Sequence, residues 1–86
     1  MKPLTGAQIR AARGLLRWSA EELAREAALG LATIRRAENT ELHSMTAANN
    51  LSVRRALENA GVEFIDENGG GPGVRLRNRQ RAKKQK

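Results

Sequence analysis

The chain has 86 residues, with 16 Lys and Arg against 9 Asp and Glu, so its formal charge is +7. This length allows one small domain, and the absence of cysteine excludes a disulfide-stapled secreted scaffold and a cysteine-based zinc site. No apolar run approaches the roughly 18 residues that a membrane span requires, and the N-terminus lacks the apolar core of a signal peptide. We therefore expect a cytoplasmic protein without a membrane or metal partner. Because a basic charge favours nucleic acid as a partner, we expect the protein to be associated with the nucleoid.

The positive charge is concentrated at one end of the chain. Residues 1–74 hold 9 basic and all 9 acidic residues, whereas residues 75–86 hold the other 7 basic ones. The body of the protein is therefore formally neutral, and the surplus belongs to its C-terminal end.

Two helices are predicted in the first third of the chain. Apolar residues recur every three or four positions from Thr5 to Arg17, and Thr5 is a suitable N-cap for this segment. Ser19, with Glu22 three positions later, forms the sequence of a capping box and opens a second helix.

Two further helices are predicted between about residues 31 and 60. A short helix is expected over about residues 31–39, directly after Gly30. A longer one is expected from the N-cap Thr46 to about residue 60, with Gly61 as its C-terminal stop.

After residue 61 the apolar period changes to two, which predicts a β-hairpin over residues 62–77 around a glycine-rich connection. A two-stranded hairpin is marginal alone, so its apolar face must pack on the helices or pair across a dimer. Our candidate dimer surface consists of its apolar residues Val62, Phe64, Ile65, Val74 and Leu76. Residues 78–86 lack large apolar side chains and are predicted to form a disordered basic tail.

The segment from Ser19 to Glu38, SAEELAREAALGLATIRRAE, has the pattern of a helix-turn-helix motif. Small residues such as Ala24 stand where two short helices must cross. Apolar residues at Leu29 and Ile34 are spaced to hold the crossing angle, so that one face of the second helix projects outward.

In these residues the chain resembles the XRE family, the helix-turn-helix domains of Cro and lambda-type phage repressors. The resemblance covers about residues 6–60, and RAARGLLRWS and RRALENAGVEFIDENGGGPGVRLR are similar to short bacterial regulators with a C-terminal hairpin. It implies a mainly α fold: a four-helix lambda-repressor-like domain over 5–61, with its motif at 19–39. A hairpin over 62–77 and a basic tail over 78–86 would follow.

The resemblance also implies roles for individual residues. It places Leu31, Ala32 and Arg36 where the family reads base edges, and Thr33, Arg35 and Asn39 where it tends to contact phosphates. Because arginine to guanine is the commonest specific contact, we count Arg35 with Arg36 among the candidate base-reading residues. The resemblance further implies an ion pair between Arg13 and Glu22 that ties the first helix to the second.

The cationic C-terminal end is predicted to add affinity for DNA without adding sequence information. The candidate phosphate contacts in this strand and tail are Arg75, Arg77, Arg79 and Arg81.

We expect a transcriptional regulator that binds duplex DNA as a homodimer, with the helix over 31–39 in the major groove. No nucleophile, base and orienting group can be assembled, so we expect no enzyme, no cofactor and no small-molecule ligand. Departures from the family pattern at Ala20, Ala28, Leu31 and Ala32 leave an alternative open. In that alternative the chain is a protein-interaction module, such as an antiactivator or antitoxin-like regulator, with a regulatory protein as its partner.

Overall fold

The structure of this protein is a computed structural model that describes residues 3–39, 45–65 and 70–77. Its helices are α1 (Gly6–Leu16), α2 (Ala20–Ala27), α3 (Leu31–Glu38) and α4 (Ala47–Asn59), and its strands are β1 (Val62–Ile65) and β2 (Gly73–Leu76). The predicted mainly helical class with a C-terminal antiparallel hairpin is thereby confirmed. None of the helices in the described ranges is both long and apolar enough to cross a membrane.

Capping boxes begin both α1 and α2. The Thr5 hydroxyl accepts a hydrogen bond from the Gln8 backbone N–H at 3.1 Å, while the Gln8 side chain accepts one from the Thr5 N–H at 3.0 Å. Ser19 and Glu22 form the predicted box at α2, with distances of 3.0 and 2.8 Å. Each box satisfies two N–H groups that a helix start leaves without partners, and such a cap stabilises a helix by about 1 kcal/mol.

Backbone with a positive φ follows α1, α2 and α4. Arg17 and Ala28 follow α1 and α2 with φ of 60° and 59°, a conformation that costs about 1 kcal/mol for a residue with a Cβ. After α4, Gly61 has a φ of 111°, which only glycine adopts readily, so the predicted stop is a backbone requirement. The left-handed conformation of Ala28 turns the chain directly after α2, so the connection to α3 needs only three residues, 28–30.

The core lies where all four helices and β1 meet. Helix α2 packs on α3 and α4, while α1 packs on α3 and on both strands. The largest side chains that are fully buried are Ile9, Leu23, Ile34, Val53, Leu57 and Val62. Because each helix and β1 supply at least one of them, the hairpin is part of the same hydrophobic core as the helices.

The apolar face of the hairpin, which was predicted to be a dimer surface, packs on the helices of its own chain. The register pairs Val62 with Leu76, Glu63 with Arg75, Phe64 with Val74 and Ile65 with Gly73. Val62 is fully buried, and the half-buried residues packed against the core are Phe64, Val74 and Leu76. Of the five apolar residues predicted for a dimer surface, only Ile65 is exposed. A hairpin of two strands needs a partner for its apolar face, and the helices of its own chain provide one.

Candidate nucleic-acid interface

Helix α3 divides cleanly into a buried and an exposed face. Ile34, Ala37 and Glu38 are buried, and their spacing of three and four residues places them on one side of the helix. The opposite side is exposed and carries Ala32, Arg35 and Arg36, and the exposed C-cap residue Asn39 continues it directly after the helix. The structure therefore brings together four of the six residues in and directly after α3 that were predicted to contact DNA.

The other two predicted residues lie at the borders of this exposed face. Leu31 and Thr33 are both half-buried. Because successive residues of a helix are rotated by about 100°, these two stand on opposite borders of the face. The four exposed residues between them, Ala32, Arg35, Arg36 and Asn39, are called the outer face of α3 below.

The one carboxylate of α3 is turned inward and neutralised. Glu38 is only 5% exposed, and its two carboxylate oxygens accept hydrogen bonds from Arg13 Nε at 2.6 Å and Arg13 Nη2 at 2.8 Å. Arg13 Nη1 also donates to the Trp18 carbonyl oxygen at 2.9 Å. The hydrogen-bonded carboxylate raises the pKa of Arg13, so the guanidinium stays charged.

The predicted ion pair between Arg13 and Glu22 is therefore wrong, because the partner of Arg13 is Glu38. The Glu22 carboxylate accepts a hydrogen bond from the Ser19 backbone N–H at 2.8 Å, at the start of α2. A signal for the correct pair was present in the sequence. Glu38 follows Ile34 by four residues, so it shares the buried face, where a carboxylate requires a cationic or hydrogen-bonding partner.

A second arginine of α1 holds the same end of α3. Arg10 Nη1 donates a hydrogen bond to the backbone carbonyl oxygen of Glu38, in the last turn of α3, where helix geometry leaves carbonyl groups without partners. Together, Arg10 and Arg13 connect α1 to the C-terminal end of α3. These contacts fix the rotation of α3 about its own axis and therefore determine which residues form its outer face.

The burial of Glu38 leaves the outer face of α3 with positive charge only. Its charged residues are Arg35 and Arg36, both exposed. Among residues 3–39, 45–65 and 70–77, neither guanidinium has an ion-pair partner.

The arginines of the strand region already have contacts within the protein. Arg75 Nε donates to Glu63 Oε1 at 2.9 Å across the hairpin, and this hydrogen bond lowers the pKa of Glu63 and raises that of Arg75. Arg77 Nη2 donates to the Glu58 carbonyl oxygen at 2.8 Å, at the end of α4. Phosphate contacts by either arginine would compete with these interactions. The other predicted phosphate contacts, Arg79 and Arg81, lie outside the described residues.

The described part of the chain contains no cluster of three or more His, Cys, Asp or Glu residues that could hold a metal ion. Neither protein-family models nor curated proteins include a match to this sequence. Function must therefore be inferred from the outer face of α3 and from the residues that hold it in place.

Proposed function

We propose that this protein is a transcriptional regulator that binds specific sequences in duplex DNA, with α3 in the major groove. The observation that carries the proposal is the outer face of α3, which presents Arg35 and Arg36 while Glu38 is buried against Arg13. Two exposed guanidiniums on one helix face suit a polyanionic ligand whose bases offer hydrogen-bond acceptors.

The connection between α2 and α3 supports a helix-turn-helix motif similar to that of the XRE family. The two helices are separated by residues 28–30 only, and they pack on each other. Ala24 and Ala27 of α2 are buried, as a close helix crossing requires. In motifs of this kind the second helix enters the major groove, which is wide enough to admit one α-helix.

We infer that the protein acts as a homodimer in the cytoplasm, associated with the nucleoid. One module of this size makes few contacts with DNA, and two modules related by a twofold axis bind half-sites about one helical turn apart. Of the hairpin residues first considered for the contact between protomers, Ile65 alone remains exposed for it.

The alternative of a protein-interaction module stays a prediction. It needs an apolar tip on α3 formed by Leu31 and Ala32. Leu31 is half-buried, so it exposes less apolar surface than this alternative expects.

The proposal is tested by footprinting the full chain on DNA from the promoter of its own gene, at physiological salt with competitor DNA. We expect protection of a site with twofold symmetry and half-sites about 10 base pairs apart. The double variant R35A/R36A is expected to lose this protection.

The matched control is R55A, which removes an exposed arginine from α4 and should retain the footprint. Absence of a protected site in the promoter and in a random duplex library would contradict the proposal. So would protection by R35A/R36A equal to that by the wild-type protein.

A further inference from the structure

We infer that each DNA half-site contains an A·T pair with guanines close by on both strands, read by Ala32, Arg35 and Arg36. This inference rests on the proposed function, and it names the kind of base sequence that the outer face of α3 would recognise. It depends on three features of that face: the angular positions of its residues, the lengths of their side chains and the hydrogen-bond donors that its arginines present.

The two arginines stand on opposite sides of the outer face. Because each residue turns an α-helix by about 100°, Arg35 and Arg36 point in directions about 100° apart. Ala32 lies three residues before Arg35 and four before Arg36, so it stands between them, one turn closer to the start of the helix. A helix that lies along the major groove with Ala32 over the base edges therefore directs its arginines toward opposite strands.

The side chain at the centre of the outer face is short, and the arginine side chains on either side of it are long. Ala32 projects a single methyl group, and the larger neighbours Leu31 and Thr33 are half-buried at the borders. This profile lets the start of α3 approach the floor of the groove closely. Ala32 can then contact a thymine methyl group, the one apolar feature that a base pair shows in the major groove.

The donors of the face select guanine. A guanidinium matches the paired acceptors O6 and N7 of guanine, and in the described part of the chain Arg35 and Arg36 have no ion pair that competes for them. A carboxylate is the usual acceptor for the amino group of cytosine, and the only carboxylate in α3 belongs to the buried Glu38.

The spacing of the recognised bases follows from the helix. Arg36 lies about 6 Å further along the axis of α3 than Ala32, which corresponds to about two base-pair steps of DNA. Asn39 lies about 10 Å from Ala32 along the axis and falls outside the N-terminal part of the helix that reads bases. We therefore place both guanines within about two base pairs of the A·T pair.

The first test selects binding sites for the full chain from a random duplex library at physiological salt. The expected half-site has an A·T pair with guanines on both strands within about two base pairs of it. A selected half-site without guanine, or with guanines on one strand only, would overturn the inference while the proposed function stands. Equal binding to all duplexes would overturn both.

The second test assigns each guanine to an arginine on the selected duplex. Replacing one guanine by 7-deazaguanine removes the N7 acceptor without changing base pairing, and it should weaken wild-type binding about tenfold at either guanine. R36A should be insensitive to the replacement on one strand, and R35A to the replacement on the other. Uracil in place of the thymine removes only its methyl group and should also weaken binding.

The control R55A should keep the wild-type sensitivity to both guanines, because Arg55 lies on α4 and outside the outer face of α3. If R35A and R36A also keep both sensitivities while binding stays sequence-specific, the assignment of the guanines to these arginines is overturned. Far-UV circular dichroism verifies that each variant is folded.

Discussion

At the scale of single residues, the position of one carboxylate decides what α3 shows to solvent. Glu38 follows Ile34 by about one turn, so the helix carries it to the core side, where Arg13 holds it in a bidentate ion pair. On the outer face the same carboxylate would cancel one of the two positive charges and repel phosphate. The charge character of α3 therefore depends on an arginine in another helix.

We expect R13M to destabilise the protein by about 3 kcal/mol, because it leaves the Glu38 carboxylate buried without its cation. Urea unfolding measures this change. The matched control R17M replaces an exposed arginine directly after the same helix and should change the stability by less than about 0.5 kcal/mol. Equal unfolding midpoints for the two variants would contradict a structural role for the pair of Arg13 and Glu38.

The cross-strand pair of Glu63 and Arg75 leads to a prediction about how the stability of the fold depends on pH. The hydrogen bond from Arg75 lowers the pKa of Glu63, so the pair favours the folded state at neutral pH and this contribution is lost as the pH falls through the lowered pKa. We expect R75Q to raise the pKa of Glu63 toward its ordinary value. Titration of the side-chain carboxyl by NMR measures the shift.

R77Q is the control for this titration. Arg77 lowers the pKa of Glu63 through its charge only, and it is the smallest of the contributions, so R77Q should shift the pKa less than R75Q. A titration of Glu63 that is the same in the wild type and in R75Q would show that the hydrogen bond does not form in solution.

At the scale of elements, the hairpin belongs to the core of the domain. The alternation over residues 62–65 and 74–77 predicts the strands and their apolar face, because period two is a local property of the sequence. What that face covers is a tertiary property. Val62 is completely buried by the helices, and Gln8 Nε2 of α1 donates to the Gly73 carbonyl oxygen of β2 at 3.2 Å.

We expect V62A to destabilise the folded chain by roughly 2 kcal/mol, because it removes two buried methyl groups and leaves a cavity. I65A removes a larger but exposed side chain, so it should cost less than about 0.5 kcal/mol. Denaturant unfolding of dilute protein measures both values. If the stability of V62A depends on protein concentration and I65A is equally destabilising, the hairpin stabilises a dimer and does not pack on its own helices.

At the scale of the whole molecule, the charge of +7 separates into two parts with different expected roles. The body is formally neutral and owes its cationic outer face to the burial of Glu38. The C-terminal residues carry the surplus, and Arg75 and Arg77 already form contacts within the domain. The remaining positive charges of this end, in residues 78–86, are the candidates for phosphate contacts that add affinity alone.

Deletion of residues 78–86 removes five positive charges: Arg79, Arg81, Lys83, Lys84 and Lys86. If all five contact phosphates, the slope of log affinity against log salt concentration decreases in magnitude by up to about 4.5, since each contact releases counterions. Base preference should stay the same, because it depends on α3. Binding titrations at several salt concentrations measure the slope, and an unchanged slope would contradict a phosphate-binding tail.

The sequence by itself determined the features of this protein that depend on neighbouring residues. The capping box of Ser19 and Glu22, the stop at Gly61 and the alternation in the hairpin all act over a few positions, so each could be predicted. The candidate residues on α3 came from the family resemblance and from the preference of arginine for guanine.

Only the tertiary structure decided which partners those elements have. Arg13 is nine residues from Glu22 and 25 from Glu38, and the distant glutamate is its partner because α1 packs on the C-terminal end of α3. For the same reason the apolar face of the hairpin is covered by helices. Side chains far apart in sequence meet only after the helices pack, and this packing places Arg35 and Arg36 in solvent and their neighbour Glu38 in the core.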